Sequence, residues 1–297
     1  MKRGILTENA ELAWRAALVY RDLLLDGRDT VQNKKNFVTS LHNAVELYSK
    51  QKMIFDNNFT VATVKDSDSQ ASFAKRYYSA DNLNDFFEGL SEEEFKKLRS
   101  CDYSDLVFNK IFASSKHRDA LNSRGGKKLL ERLRNEETHF AFNDNFLSDQ
   151  DFQVLDEFLL EFYQVLQEND LLTKHFGKRK SHIDSENNRL IPSTKSAAKG
   201  FSFKKQLSET KFTKEFKEVI KEQLFVCQTS TSFDMASAVY DQVESIRNRY
   251  SFDDVLDYVV CFQKHDLIRV QMNYQMVGDG YEGTCVDEPV IKIEWKE

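Results

Sequence analysis

SDQDFQVLDEFLLEFYQVLQ, residues 148–167, is the stretch whose reading decides the fold. Phe152, Leu155, Leu159, Phe162 and Leu166 recur at steps of three and four, with Phe158 and Val165 beside them. That is the period of a helix with one buried face. Ser148 stands where an N-cap is needed, and Asp149 and Asp151 fall in the first turn, where the helix dipole favours acid. Working outward towards the N-terminus, similar stripes predict helices over 8–26 (Leu12, Ala16, Val19, Leu23), 36–55 (Phe37, Leu41, Val45, Tyr48) and 104–121 (Leu106, Val107, Ile111, Phe112). Another starts near 127 with Leu129, Leu130 and Leu133. Ser91 with Glu94 makes a capping box for a short helix. Only 2 Pro and 10 Gly occur in 297 residues, which favours long helices over a turn-rich β protein. Residues 1–172 therefore read as a helical bundle.

Towards the C-terminus the pattern changes twice. Residues 173–200 are polar and contain Pro192. From 178 to 199 they carry Lys178, Arg179, Lys180, Arg189, Lys195 and Lys199 against Asp184 and Glu186. We read this as a basic linker. Residues 201–297 form a small α+β accessory domain. Helices are expected near 212–226, 232–247 and 252–264, the last with a Ser251…Asp254 box. Then the period becomes two: Ile268, Val270, Met272, Tyr274 and Met276 share one strand face. Glycines from 278 to 283 turn the chain, and Val290–Trp295 returns. Three helices followed by a hairpin have a winged-helix flavour. The third helix, however, offers Asp253, Asp254 and Asp257 where a DNA reader needs Arg and Lys. Residues 201–297 hold 12 basic and 17 acidic residues, so groove binding is not expected, and a protein-contact, sensing or dimerisation role is. The fold class is mainly α, a helical bundle followed by a small α+β region.

Several function classes fall away on composition. Net charge is −6, so a protein that grips long nucleic acid by its backbone is not expected. No apolar run reaches membrane-span length and no signal-peptide core is seen, which places the expected site of action in the cytoplasm, away from membranes. Cys101, Cys227, Cys261 and Cys285 are far apart with no CxxC, against a zinc site or a disulfide framework. No metal or cofactor is expected.

The chemistry-bearing stretch is Arg134-Asn135-Glu136-Glu137-Thr138-His139. Arg grips a phosphate by a bidentate fork, and His moves a proton near neutral pH. Five apart, the two are read as lying one turn apart on nearly one helix face. Such a pair suits RNA cleavage through the 2′-hydroxyl without a metal.

Residues 1–172 resemble the HEPN domain ribonucleases, helical bundles whose motif is Arg, four to six residues, then His, often with a polar residue after the Arg. Arg134-Asn135 and His139 match that motif. They follow two amphipathic helices, the second carrying His42-Asn43-Ala44-Val45-Glu46-Leu47, and precede the striped helix that begins at Ser148. Arg132 lies seven before His139 and also satisfies the spacing. The resemblance implies a metal-independent endoribonuclease in which His139 is the general acid or base, Arg134 holds the scissile phosphate and Asn135 orients it. Glu46, facing the motif, would raise the pKa of His139. It further implies an RNA substrate, a homodimer with a composite cleft, and a role as a phage-triggered abortive-infection or toxin-type effector, held by an inhibitor such as an antitoxin or released by a phage trigger. The alternative is a non-catalytic HEPN-like adaptor that binds a nucleotide or a protein.

Overall fold

A computed structural model describes residues 5–65, 69–123, 125–139, 146–172, 190–278 and 285–296, without the side chains of 122–123, 137–139, 222, 275–278 and 285–288. The chain is mainly helical with a small α+β region. It divides into two compact units: Met1–Asp22 with Lys34–Lys199, and Leu23–Asn33 with Gly200–Glu297. Among the described residues no helix is long and apolar enough to cross a membrane.

The first unit takes most of α1 (Thr7–Leu25) and α2 (Val31–Phe55). A small excursion follows: β1 (Ala62–Val64), α3 (Ala71–Tyr78), α4 (Leu83–Glu88), α5 (Glu92–Phe95) and β2 (Leu98–Ser100). β1 and β2 pair antiparallel, Ala62 opposite Ser100. The chain then runs through α6 (Phe108–Ile111), α7 (Arg118–Ser123), α8 (Gly126–His139) and α9 (Asp149–Glu168). α9 is the hub. Ser148 caps it, its Oγ accepting from the Asp151 amide at 3.1 Å. Its whole apolar stripe is buried, and so is Asp156. Phe152 meets Phe37 of α2 edge-on at 5.4 Å, and Phe162 lies 6.2 Å from Trp14 of α1 and 5.9 Å from Phe112. Each such buried aromatic is worth about 1.5–3 kcal/mol of transfer free energy, so the period of this one helix organises the core. α8 packs on α9 through Gly126. A Cβ there would stand 2.6 Å from the Phe158 Cβ, so a side chain would push the helices apart.

Two expectations are revised here. The single helix over 104–121 is broken into a 3-10 turn at Tyr103–Asp105, α6 and α7. Hydroxyl chemistry accounts for the break: Ser115 Oγ donates to Glu168 at 2.5 Å and accepts from the His117 amide at 3.1 Å, offering the backbone an alternative to helix. The stretch 65–80, polar and only weakly patterned in sequence, contains α3. Of the expected linker, residues 173–189 lie outside the described residues. Residues 190–199 are tied to the first unit. Trp14 Nε1 donates to the Leu190 carbonyl at 2.9 Å. Arg21, fully buried, pairs with Asp156 and donates to Ser193 Oγ at 2.9 Å and the Lys195 carbonyl at 2.7 Å. Asp156 also accepts from the Ala197 amide at 2.8 Å. A buried charge pair holds only when its remaining hydrogen bonds are filled, and residues 193–197 fill them.

The second unit contains α10 (Phe203–Glu209), α11 (Lys211–Glu222), β3 (Phe225–Val226), α12 (Ser232–Gln242), α13 (Glu244–Arg247), α14 (Phe252–Lys264), β4 (Ile268–Gly278) and β5 (Cys285–Trp295). Its antiparallel sheet has the order β3-β5-β4. The order is two helices, a short strand, three helices and a hairpin, with the first strand paired to the last. The expected turn at 279–284 lies outside the described residues. Phe212 stacks on Tyr258 at 4.2 Å, and Phe262 packs near Phe216 at 5.1 Å. The segment 23–33 belongs here through its partners on α10 and α14. Gly27 has φ 76°, and a Cβ would lie 2.4 Å from the Leu207 amide nitrogen, so only glycine fits. Arg28 pairs with Asp254, and Asn33 Nδ2 donates to Asp257 at 2.9 Å. Asp29, 1% exposed, is met by Lys264 Nζ at 2.6 Å and His265 Nε2 at 2.7 Å. The polar face of α14, which a groove reader must leave open, is thus occupied by the chain itself.

Candidate functional site

Two helices of the first unit bring charged side chains together. On α2, His42, Glu46 and Lys50 stand at i, i+4 and i+8, on one face. On α8, Lys127, Glu131 and Arg134 stand at i, i+4 and i+7, again one face. Between them runs the segment Ser100–Asp105. Lys50 Nζ donates to Glu46 at 2.5 Å and to Ser100 Oγ at 2.5 Å. His42 Nδ1 lies 3.7 Å from Glu46 Oε2, and its ring centroid is 4.1 Å from that of Tyr103. Lys127 donates to the carbonyls of Leu106 at 2.6 Å and Ser104 at 3.1 Å and covers the Tyr103 ring. Beside this cluster a cleft of about 370 Å3 shares Ser100 and Cys101 with it and is edged by Arg99 and Asp102.

The electrostatics tie the two helices to one centre. Burial drives the His42 pKa down to about 4; Glu46 opposes the shift, and the Arg134 charge adds to it. His42 is therefore neutral at pH 7. Burial raises the Tyr103 hydroxyl, with Glu131 and Glu46 adding to the rise, and burial likewise raises Cys101 and lowers Lys127. His42 Nδ1 and the Tyr103 hydroxyl are buried with no hydrogen-bond partner among the described residues. Unfilled buried polar atoms cost stability, so they mark where a water, a ligand atom or a rearranged side chain belongs.

The expected site residues are placed as follows. Glu46 is half-buried on α2 against Lys50 and His42. Arg134 is half-buried on α8, and Asn135 is exposed beside it. His139 is the last residue of α8; its side chain lies outside the described residues. One expectation is corrected. Because α8 runs unbroken from 126 to 139, a five-residue step sets Arg134 and His139 about 140° apart around the axis, not on one face. The choice between arginines also narrows. Arg132 is exposed and engaged with Glu136 at 2.9 Å and Asp151 at 3.5 Å, whereas Arg134 bears on His42. Glu136, whose negative charge would oppose a phosphate beside Arg134, is paired with Arg132.

His42, a lone histidine on a helix, reads from sequence as a packing or solvent-edge residue rather than a catalyst. It is 6% exposed and does pack, yet it is also the point where the Glu46 and Arg134 charges meet. The available signal was its i, i+4 spacing to Glu46. His117 and His265 have no motif partner in sequence but are paired in the fold: His117 Nδ1 lies 2.7 Å from Glu161, and His265 pairs with Asp29. His175 and His182 lie outside the described residues. Among the described residues no group of three or more His, Cys, Asp or Glu side chains is arranged to hold a metal ion.

Comparison of the chain with family models, with curated proteins and with solved structures returned no match.

Proposed function

We propose that the chain is an endoribonuclease of the HEPN type that cleaves RNA by attack of the ribose 2′-hydroxyl. Arg134 holds the scissile phosphate and its developing charge, Asn135 orients it, and His139 transfers the proton. The observation that carries this reading is that the charge of Arg134 reaches the His42–Glu46 pair. The motif helix and the second helix of the bundle thus face one polar centre. Glu46 acts there as a positioning residue: held by Lys50, it places a negative charge beside His42 that opposes the Arg134 charge. Since Arg134 and His139 diverge around α8, the acid and base come from two copies of the chain, whose motifs share one cleft. The products are a 2′,3′-cyclic phosphate and a 5′-hydroxyl. The setting is the cytoplasm, in an antiviral or toxin-type role restrained by an inhibitor or awaiting a trigger.

The test is cleavage of labelled RNA by purified protein in excess EDTA, with growth arrest on induced expression as a second readout. Wild type is expected to cut or arrest growth, and Arg134→Ala and His139→Ala to lose both by about a hundredfold or more, as loss of a proton-transfer or charge-stabilising group does. Equal behaviour of all three proteins sinks the nuclease reading. The same 140° divergence favours one other reading, a non-catalytic adaptor that binds a nucleotide or protein through Arg134. It predicts that Arg134→Ala weakens binding while no variant, and no wild type, cleaves.

A further inference from the structure

The second unit is acidic overall, yet one of its clefts is basic. It measures about 710 Å3 and lies between α11 and β5. Lys217 and Lys221, one turn apart on α11, line it together with Lys292 of β5 and Lys296 just beyond; Glu294 is the one carboxylate among the described lining residues. Its floor is apolar, from Ile220, Leu267 and Ile293. Trp295 forms one wall, its ring braced edge-on by Phe262 at 5.1 Å. Lys217 Nζ rests 4.1 Å from the Trp295 ring centroid and has no carboxylate partner among the described residues. The other three lysines are paired with carboxylates: Lys221 with Glu218 at 2.6 Å, Lys292 with Glu294 at 2.8 Å, and Lys296 with Asp266. These are surface pairs, which contribute little and exchange readily for a stronger anion.

Four lysines lining one cleft with an apolar floor and an indole wall match a ligand that is anionic at one end and flat and apolar at the other. We propose that this cleft binds a nucleoside phosphate, its phosphate among Lys217, Lys221, Lys292 and Lys296 and its base against Trp295 and the Ile220–Ile293 floor. The cavity is of the size that ligands of this class occupy. A free nucleotide and the terminal nucleotide of an RNA strand present the same chemistry. The cleft belongs to the second unit and the proposed nuclease cluster to the first, and neither reading depends on the other.

The experiment is calorimetric titration of the full-length protein with AMP, ATP, adenosine, inorganic phosphate and a short RNA oligonucleotide. AMP and ATP are expected to bind, ATP more tightly, with affinity falling as salt rises. Adenosine and inorganic phosphate are each expected to bind more weakly than AMP. Lys217→Glu with Lys292→Glu should weaken ATP binding by about tenfold or more. Lys214→Glu, a charge reversal of the kind made at each cleft lysine but on an exposed part of α11 outside the cleft, should leave it unchanged. Should the double reversal lower the unfolding temperature, Lys217→Gln with Lys292→Gln replaces it, with the same direction expected. RNA that competes with ATP at equal or higher affinity identifies a strand end as the source; RNA that does not compete identifies the free nucleotide. No binding of either ligand at millimolar concentration overturns the proposal. So does a loss with Lys214→Glu as large as with the cleft variants, or phosphate binding as tight as AMP.

Discussion

His42 shows how one side chain's burial becomes a property of the whole molecule. Its imidazole is packed on Tyr103 with Nδ1 unfilled, and its pKa stands at about 4 against an ordinary value of about 6.5. The folded state therefore binds fewer protons at His42 than the unfolded chain does. The neutral ring is accommodated above pH 6.5, and stability is lost as pH falls from there through 4. The cost of that mismatch is on the order of 3 kcal/mol by linkage once both states are protonated. Urea unfolding of wild type and His42→Gln across pH 4–7 checks this. Wild type should lose stability more steeply than the variant on acidification, and parallel curves would show that His42 is not the group responsible. The spacing of His42 and Glu46 was legible in the sequence; the depth of His42 was not. Nothing in a helical period tells which face a distant segment such as Ser100–Asp105 will cover. The same limit applies to Arg134. Its type and its neighbour Asn135 could be read directly, whereas its bearing on α2 exists only once α8 is seated.

That seating is a property of elements. α8 starts where Gly126 lets its backbone close on Phe158 of α9, while Gly125 just before it has φ 73° and open space around it. Gly126→Ala must push α8 off α9 and should cost about 1–3 kcal/mol, as overpacking does. Gly125→Ala strains only its own backbone and should cost about 1 kcal/mol. Thermal unfolding of both variants should rank them in that order. If cleavage depends on where α8 holds Arg134, Gly126→Ala should lose more activity than Gly125→Ala. Elements with many periods were the legible ones. α9 repeats its stripe over five turns, and β4 alternates over its length, so tertiary context could only agree with them. α3 and α10 are two turns long, and β3 has two residues, too few to show any period. The 104–121 stretch had a stripe but also Ser115, whose hydroxyl takes the His117 amide. The capping boxes at Ser91 and Ser251 were legible because side chain and backbone meet within three residues.

At the scale of the whole molecule, the second unit is discontinuous in sequence. A fragment of residues 200–297 lacks the partners of Asp254, Asp257, Lys264 and His265 that residues 23–33 supply. Such a fragment should unfold at a lower temperature than one in which residues 23–33 are joined to it through a flexible linker; equal midpoints would show the segment to be dispensable. The boundary near 200 was readable from composition, but no local pattern in 23–33 announces a partner more than two hundred residues away. Asp29 and the Lys264 that meets it are 235 residues apart. On the ribosome, at about 5–20 residues per second, Asp29 therefore waits roughly 12–47 s for that lysine to be made. A bundle built from the early helices has to keep the 23–33 turn uncommitted for that time. Any chain that stops before residue 264 can never close it, so the closing of this turn reports that translation has passed residue 264.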